Sequence, residues 1–228
     1  MKTVTLRVLA TPGRNGAHDR LVSSLEEASD RGSPIWVDYG RWLELHWFTQ
    51  PPEVSPVDHW RATHLAPCDT DLLLVLEDDA IVNRHLLHNI QTWRWPYDKD
   101  FGAGWLYNPG GYTQKDTWYT GPPAWHGTVG VLYPAALMPK LVERAWVTIQ
   151  QGEAWDLAMS RAVMLLGKRI RVHFPALVEH QHDVPSVIQK GGNLSSSLRT
   201  SRGTFDREWR RPDRHNHGIV DQFGRTVV

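Results

Sequence analysis

The sequence predicts an α/β fold: one domain with a mostly parallel mixed sheet flanked by helices. Three observations predict it. Leu72-Leu73-Leu74-Val75-Leu76 is an unbroken aliphatic run, and a strand without polar alternation is one buried on both faces, as in a parallel core. Gly127 to Tyr133 is a second buried-strand pattern. Around these, apolar segments of strand length alternate with amphipathic segments of helix length, the pattern of a sheet covered by helices.

Thr3–Leu9 is the first expected strand, broken by Thr11-Pro12-Gly13-Arg14-Asn15-Gly16, whose residue types belong to a loop. A helix follows from about His18 to Ser29, with Leu21, Val22 and Leu25 on one face and Glu26, Glu27 and Asp30 on the other; Gly32 ends it. The loop lacks a full Gly-x-Gly-x-x-Gly pattern, so this opening alone is a weak sign of nucleotide binding. Pro34–Asp38 and Trp42–Phe48 read as further strands. Val57–Leu65 reads as a short helix, with His59, Trp60, Thr63 and His64 at helical spacing. After the aliphatic strand, Asn83 is placed to cap a helix through about Trp93 that carries Leu86, Leu87 and Ile90.

From Trp93 to Trp125 the chain turns to Trp, Tyr, Gly and Pro, which predicts long loops and one strand at Gly102–Tyr107. Pro134 opens a helix through about Ala145, and Glu153–Leu166 forms another that Gly167 closes. Ile170–Phe174 is a strand, followed by Leu177-Val178-Glu179-His180-Gln181-His182-Asp183. Residues 1–190 are expected to form the compact domain. Residues 191–228, rich in Gly, Ser and Arg, are expected to form an extended Arg-rich arm or lid.

Composition narrows the function classes. With 228 residues, 41% of them hydrophobic, the chain can bury a full core. Lys+Arg and Asp+Glu both number 25, so no bulk attraction draws it to nucleic acid or to a membrane surface. Cys68 is the single cysteine, which excludes an intramolecular disulfide and a Cys-based zinc site and points to a reducing, cytoplasmic setting. No apolar run approaches a membrane span and the N-terminus lacks a cleavable signal pattern, so a soluble protein is expected. Tryptophan is abundant, 12 residues. Its ring nitrogen wants a partner, so such a surplus fits half-exposed platforms for sugars or bases. Trp105, Trp118, Trp125 and Trp155 are the candidates.

The aliphatic strand ends in Glu77-Asp78-Asp79. Three adjacent carboxylates at a strand end repel one another and stay ionised only beside a cation or strong donors. A divalent metal meets that need, and ligands gather at the carboxyl ends of strands in open α/β sheets; a solvated turn is the plain alternative. His180-Gln181-His182-Asp183 is the second constellation. One imidazole, His180 for preference because it follows apolar Leu177-Val178, would complete a carboxylate-rich site suited to manganese or magnesium; His215 and His217 are lesser candidates. The third is Glu153-Ala154-Trp155-Asp156 at a helix start. It is read either as partners of the helix dipole or as a general base, Asp156 with Glu153 in reserve.

In that order the Glu77-Asp78-Asp79 strand end, Gly127-Thr128-Val129-Gly130, Trp155-Asp156 and Leu177-Val178-Glu179-His180 resemble the GT-A-type nucleotide-sugar glycosyltransferases. The closest flavour is the group of lipooligosaccharide and procollagen galactosyltransferases. The resemblance reaches to about Ser186 and implies a Rossmann-like GT-A domain with Mn²⁺ (or Mg²⁺) held against a UDP- or GDP-sugar. It implies Asp79 as the direct metal ligand, His180 as a further one, and Glu77 or Asp78 touching the ribose or a metal-bound water. Ala10, Thr11, Pro12 and Arg14 would line the base pocket, and Asp156 matches the acceptor base. The chain is short for that group and ends in an Arg-rich segment where an acceptor module would stand.

The expected activity is therefore transfer of a hexose to an acceptor hydroxyl on a glycan, a protein or a hydroxymethylated DNA base, with inversion if Asp156 is the base. Arg199, Arg202, Arg207, Arg210 and Arg211 would clamp the diphosphate if the arm folds over the donor; the same arginines with Phe205 and Trp209 would equally fit a nucleic-acid backbone. The size and basic tail suit a phage or mobile-element enzyme. Two rivals share the sequence features: a non-catalytic nucleotide-sugar or carbohydrate-binding protein of the same fold, and a metal-dependent phosphoryl hydrolase.

Overall fold

The computed structural model describes residues 3–30, 43–84, 86, 90, 99–107, 117–120, 127–174 and 176–181. Nine strands are present among them: β1 (Val4–Ala10), β2 (Leu43–Thr49), β3 (Leu72–Glu77), β4 (Ala80–Val82), β5 (Phe101–Trp105), β6 (Thr117–Thr120), β7 (Gly130–Pro134), β8 (Arg169–Phe174) and β9 (Val178–His180). Four α-helices accompany them: α1 (Asn15–Asp30), α2 (Pro56–Leu65), α3 (Met138–Ile149) and α4 (Trp155–Leu165). The central sheet has the order β2-β1-β3-β7-β5-β8-β6, and β4 and β9 form a separate two-stranded ribbon. β1 is parallel to β2 and β3, and β5 to β8, whereas β7 is antiparallel to β3 and β5 and β6 to β8. Five of the seven strands thus point the same way, which is the mostly parallel mixed sheet expected.

Burial of both faces explains the unbroken aliphatic strand. Leu72, Leu74 and Leu76 pack in one cluster with Leu21, Leu25 and Ala28 of α1. Leu73 and Val75 pack in the other with Trp60 of α2, Leu141 and Val142 of α3 and Met159 of α4. Each fully buried leucine of this strand contributes roughly 2 kcal/mol of hydrophobic stabilisation. A helix–sheet–helix sandwich follows, with β3 at its centre.

Where the structure departs from expectation, local hydrogen bonding or pairing is the reason. α1 begins at Asn15 and not at His18, because the Arg14 carbonyl already accepts the N–H groups of Ala17 and His18 at 2.9 and 3.0 Å. The aliphatic strand ends at Glu77 as expected, but after the turn at Asp78-Asp79 a second, unexpected strand, β4, leaves to pair with β9. β6 lies within the stretch expected as loops; it is four residues long and, among the described residues, pairs only with β8. The strand expected from Gly127 starts at Gly130, and the helix expected from Pro134 starts at Met138 after a 3-10 turn over Ala135–Leu137. Leu86 and Ile90 are helical and buried, but the rest of the helix expected through Trp93, the strand Pro34–Asp38 and the arm 191–228 lie outside the described residues.

Two features anchor α2. Ser55 caps its start, accepting the Asp58 N–H at 3.1 Å, and Pro56 follows in the first turn. Its other end is capped from β1: the guanidinium of buried Arg7 donates to the carbonyls of Thr63, Ala66 and Pro67 at 2.7, 2.8 and 2.8 Å. A charge is tolerated there because helix-end carbonyls receive it.

Within α2, His64 is fully buried and donates from Nδ1 to the Trp60 carbonyl at 2.7 Å. Burial pushes its pKa down to about 4 from 6.5. Between those values the unfolded chain binds a proton that the folded protein refuses, so stability rises with pH and is lost as pH falls from 6.5 toward 4. Of the order of 3 kcal/mol is at stake. Urea unfolding at pH 7.5 and 4.5 should show this loss in the wild-type protein and a smaller one in His64→Phe.

Gly130, the first residue of β7, lies under Val178 of β9. A Cβ there would meet Val178 Cγ2 at 2.6 Å and its Cβ at 3.0 Å. Gly130→Ala should therefore cost about 1–3 kcal/mol in urea unfolding. It would also displace β9, which carries His180.

Candidate functional site at the carboxyl edge of the sheet

Parallel β1 and β3 end side by side at Ala10 and Glu77, and antiparallel β7 begins at the same edge. The chain turns there through Asp78 and Asp79, both buried (2% and 3% exposed). Asp78 is held by the first loop: its Oδ2 accepts the Thr11 N–H at 2.5 Å and faces His18 Nε2 at 3.1 Å, and its Oδ1 accepts from Arg14 Nη1 at 2.7 Å. Asp79 Oδ2 receives the same Arg14 nitrogen at 3.2 Å and lies 3.3 Å from His180 Nε2. Its other oxygen, Oδ1, is buried and has no hydrogen-bond partner among the described residues.

The β4–β9 ribbon brings His180 here from a hundred residues away in sequence, pairing it with Ala80. Gln181 locks the ribbon: its N–H donates to the Asp79 carbonyl at 2.8 Å, and its side-chain amide donates to the carbonyls of Ala17 and Ala80 at 3.1 and 3.0 Å. Burial works against charge on both Asp79 and His180. The mutual hydrogen bond and attraction, with Arg14 adding to it at Asp79, outweigh burial, so the Asp79 pKa is lowered and that of His180 raised. They form an ion pair.

Glu77 behaves differently. Burial, reinforced by the charge of Asp79, pushes its pKa up to about 7, while the Thr128 hydroxyl donates to Oε1 in opposition. Thr128 is the link to the third constellation, because its neighbour Gly127 donates its N–H to Asp156 Oδ2 at 2.8 Å. Two consecutive residues thus bridge Glu77 and Asp156, a chain span of ~7 Å. Asp156 Oδ1 accepts the Leu157 N–H at 2.7 Å in the first turn of α4. Each oxygen of such a carboxylate keeps a second lone pair toward open space or a ligand. Behind Glu77 a small pocket is lined by Thr128, Tyr133, His64 and Trp60, and Trp60 stacks on Trp155 with centroids 6.3 Å apart and planes at 10°.

The structure brings together Thr11, Arg14, Glu77, Asp78, Asp79 and His180, with Asp156 joined to them through residues 127 and 128. Ala10 is buried as the last residue of β1, and Pro12 is exposed beside Gly13, whose φ of +83° shapes the turn. Arg14 lies against the acids. Glu153 pairs with Arg161 at 2.6 Å, two turns along α4. Trp105 is a core residue and not a platform, being wholly buried with its indole N–H donating to the Gly127 carbonyl at 2.8 Å. Arg202, His182, Asp183, Trp125 and the side chain of Trp118 lie outside the described residues.

Sequence reasoning missed His18, Thr128 and Gln181 as members of this cluster. His18 and Thr128 carried a faint signal, as polar residues in or beside Gly-containing segments next to buried strands. Gln181 stood inside the His180–Asp183 constellation without a role of its own, since its work depends on a ribbon pairing that spans the chain.

Among the described residues no group of three or more His, Cys, Asp or Glu side chains is arranged to hold a metal ion by itself. The donors at hand are still of the right kind. Asp79 Oδ1 is a buried carboxylate oxygen lacking a partner, and His180 Nε2 lies beside the same carboxylate; oxygen with imidazole suits manganese or magnesium if a ligand supplies the remaining oxygens.

No family model matches the sequence, and no curated protein matches it significantly. Solved structures do resemble it in part. A glycosyltransferase involved in glycosylation of the major capsid of PBCV-1 is similar at a TM-score of 0.49 and 12% identity, covering 80% of this chain and 94% of that one. Drosophila beta-1,4-galactosyltransferase 7, in complex with manganese, UDP-Gal and xylobiose, is similar at 0.46 and 11%, covering 91% and 84%. S. aureus TarS follows at 0.46 and 12%, covering 78% and 60%. Among the described residues no helix is long and apolar enough to cross a membrane.

Proposed function

We propose that the chain is a metal-dependent glycosyltransferase that moves a hexose from a nucleoside-diphosphate sugar to an acceptor hydroxyl. The observation that carries this reading is the meeting of Asp79 and His180, 3.3 Å apart, at the carboxyl edge where β1 and β3 end. A buried carboxylate paired with a half-buried imidazole from a distant part of the chain is costly to assemble for stability alone, so a site is the better account.

In this reading Asp79 and His180 hold Mn²⁺ or Mg²⁺, which when bound neutralises charge growing on the leaving diphosphate. The backbone around Thr11 with the carboxylate of Glu77 or Asp78 would orient the nucleoside, and Arg14, expected in the base pocket but set against Asp78 and Asp79, would instead meet the phosphates. Asp156 takes the proton of the acceptor hydroxyl as its oxygen bonds to the anomeric carbon. The bond from that carbon to the diphosphate oxygen breaks, its electron pair leaves with the nucleoside diphosphate, and the anomeric centre inverts. Acceptors with an accessible hydroxyl on a glycan, a protein or a hydroxymethylated DNA base fit this chemistry.

One observation favours the non-catalytic rival: both oxygens of Asp156 are already bonded to backbone N–H groups, as in a purely structural carboxylate. A thermal-shift screen of UDP- and GDP-sugars with and without Mn²⁺, followed by assay of released nucleoside diphosphate, separates the cases. Metal-dependent stabilisation together with diphosphate release supports transfer. Binding without turnover toward any acceptor class would favour the binding protein, and release of inorganic phosphate the hydrolase.

A further inference from the structure

Arg14 stands in an unusual place for a residue of a ligand-binding loop. One nitrogen, Nη1, bonds to Asp78 at 2.7 Å and to Asp79 at 3.2 Å, and the side chain is only 14% exposed. Neighbouring carboxylates exposed by 2% and 5% repel one another unless a cation sits between them. Arg14 is such a cation, and a guanidinium cannot escape by losing its proton.

We propose that Arg14 is the resident counter-cation of the acidic cluster: it competes with an incoming dication for Asp79 and is handed to the donor's diphosphate when the dication arrives. This rests on the reading of the edge as a metal and diphosphate site. Three features carry it. The oxygen of Asp79 that Arg14 occupies belongs to the same carboxylate whose other oxygen has no partner, so a dication drawn to Asp79 meets the guanidinium within a few ångströms and repels it. The Arg14 side chain keeps 14% of its surface exposed and its loop is exposed at Pro12 and Gly13, so a ligand arriving from solvent can reach the guanidinium. A guanidinium also prefers paired phosphate oxygens, which its planar fork fits.

The consequence is a coupling between metal and nucleotide that depends on one side chain. Without nucleotide, Arg14 holds the cluster and keeps dications out. With the diphosphate present, Arg14 has a better partner and Asp79 is released. Coupling of this kind is reciprocal and measurable as a cycle.

The test is calorimetric titration of wild-type protein and Arg14→Gln with Mn²⁺ alone, with UDP alone, and with Mn²⁺ in the presence of UDP. Mn²⁺ alone is expected to bind the variant at least about tenfold more tightly than the wild type, because one neighbouring positive charge is gone. UDP alone should bind the variant more weakly, and the factor by which UDP tightens Mn²⁺ should shrink. Equal or weaker Mn²⁺ binding by the variant, with wild-type protein binding Mn²⁺ in the presence of UDP, overturns the competition while leaving the metal-site reading intact. Failure of both proteins to bind Mn²⁺ in the presence of UDP, and likewise of GDP, overturns both. Should Arg14→Gln not fold, the Arg14 guanidinium resonance of the wild-type protein decides: it is expected to stay in place with Mg²⁺ alone and to shift when UDP and Mg²⁺ are added together, and a signal unmoved by the two together overturns the proposal.

Discussion

Asp79→Ala is expected to lose about a thousandfold in transfer rate, the scale of removing a group that positions and stabilises developing charge. The substitution deletes the buried oxygen that has no partner and the acceptor of both Arg14 and His180. Mn²⁺ affinity should fall with the rate. Nucleoside diphosphate binding without metal should persist or strengthen, because two cationic groups are uncovered. Stability should fall as well, since the attractions that outweigh burial at Asp79 are lost and His180 and Arg14 are left without that acceptor. Transfer within tenfold of wild type, measured at saturating donor and Mn²⁺, would sink the assignment of Asp79 as the metal ligand.

The second large effect concerns the base. Asp156→Asn should lower the transfer rate by roughly a hundredfold to ten-thousandfold, the range of general-base contributions, while the donor KM holds. Asparagine offers one acceptor oxygen where aspartate offers two, so one of the bonds from Gly127 and Leu157 is also lost, at a cost of about 1–2 kcal/mol. The two consequences separate the readings. A rate that collapses while the melting temperature falls by a few degrees marks a base; the same fall with transfer intact within tenfold marks a carboxylate that merely ties residues 127–128 to α4. Arg14 adds a further check, since its substitution should shift metal and nucleotide affinities and leave Asp156 untouched.

Much of the architecture was legible because the relevant signals are local. Leu72 to Leu76 announces a strand buried on both faces, and Gly167 and Pro134 mark helix borders within a few residues. β6 and β9 were not legible. Each has four or fewer residues, too few to show a periodicity, and each exists because a partner strand is waiting at the edge. The tryptophan surplus misled at Trp105, where a backbone carbonyl satisfies the indole and the ring sinks fully into the core.

The site divides along the same line. By itself the sequence determined that a buried strand must deliver Glu77, Asp78 and Asp79 to the carboxyl edge, because aliphatic continuity and the acids that end it are properties of contiguous residues. It also singled out His180 and Asp156 as groups worth placing there. Only the tertiary structure decided how those groups share charge: Arg14 against both aspartates, His180 against Asp79, Thr128 against a largely desolvated Glu77, and Gln181 behind them all. Those partnerships cross as many as 164 positions of the chain. They depend on strand order and on burial, and burial sets the strength of an electrostatic contact only after the fold has excluded water.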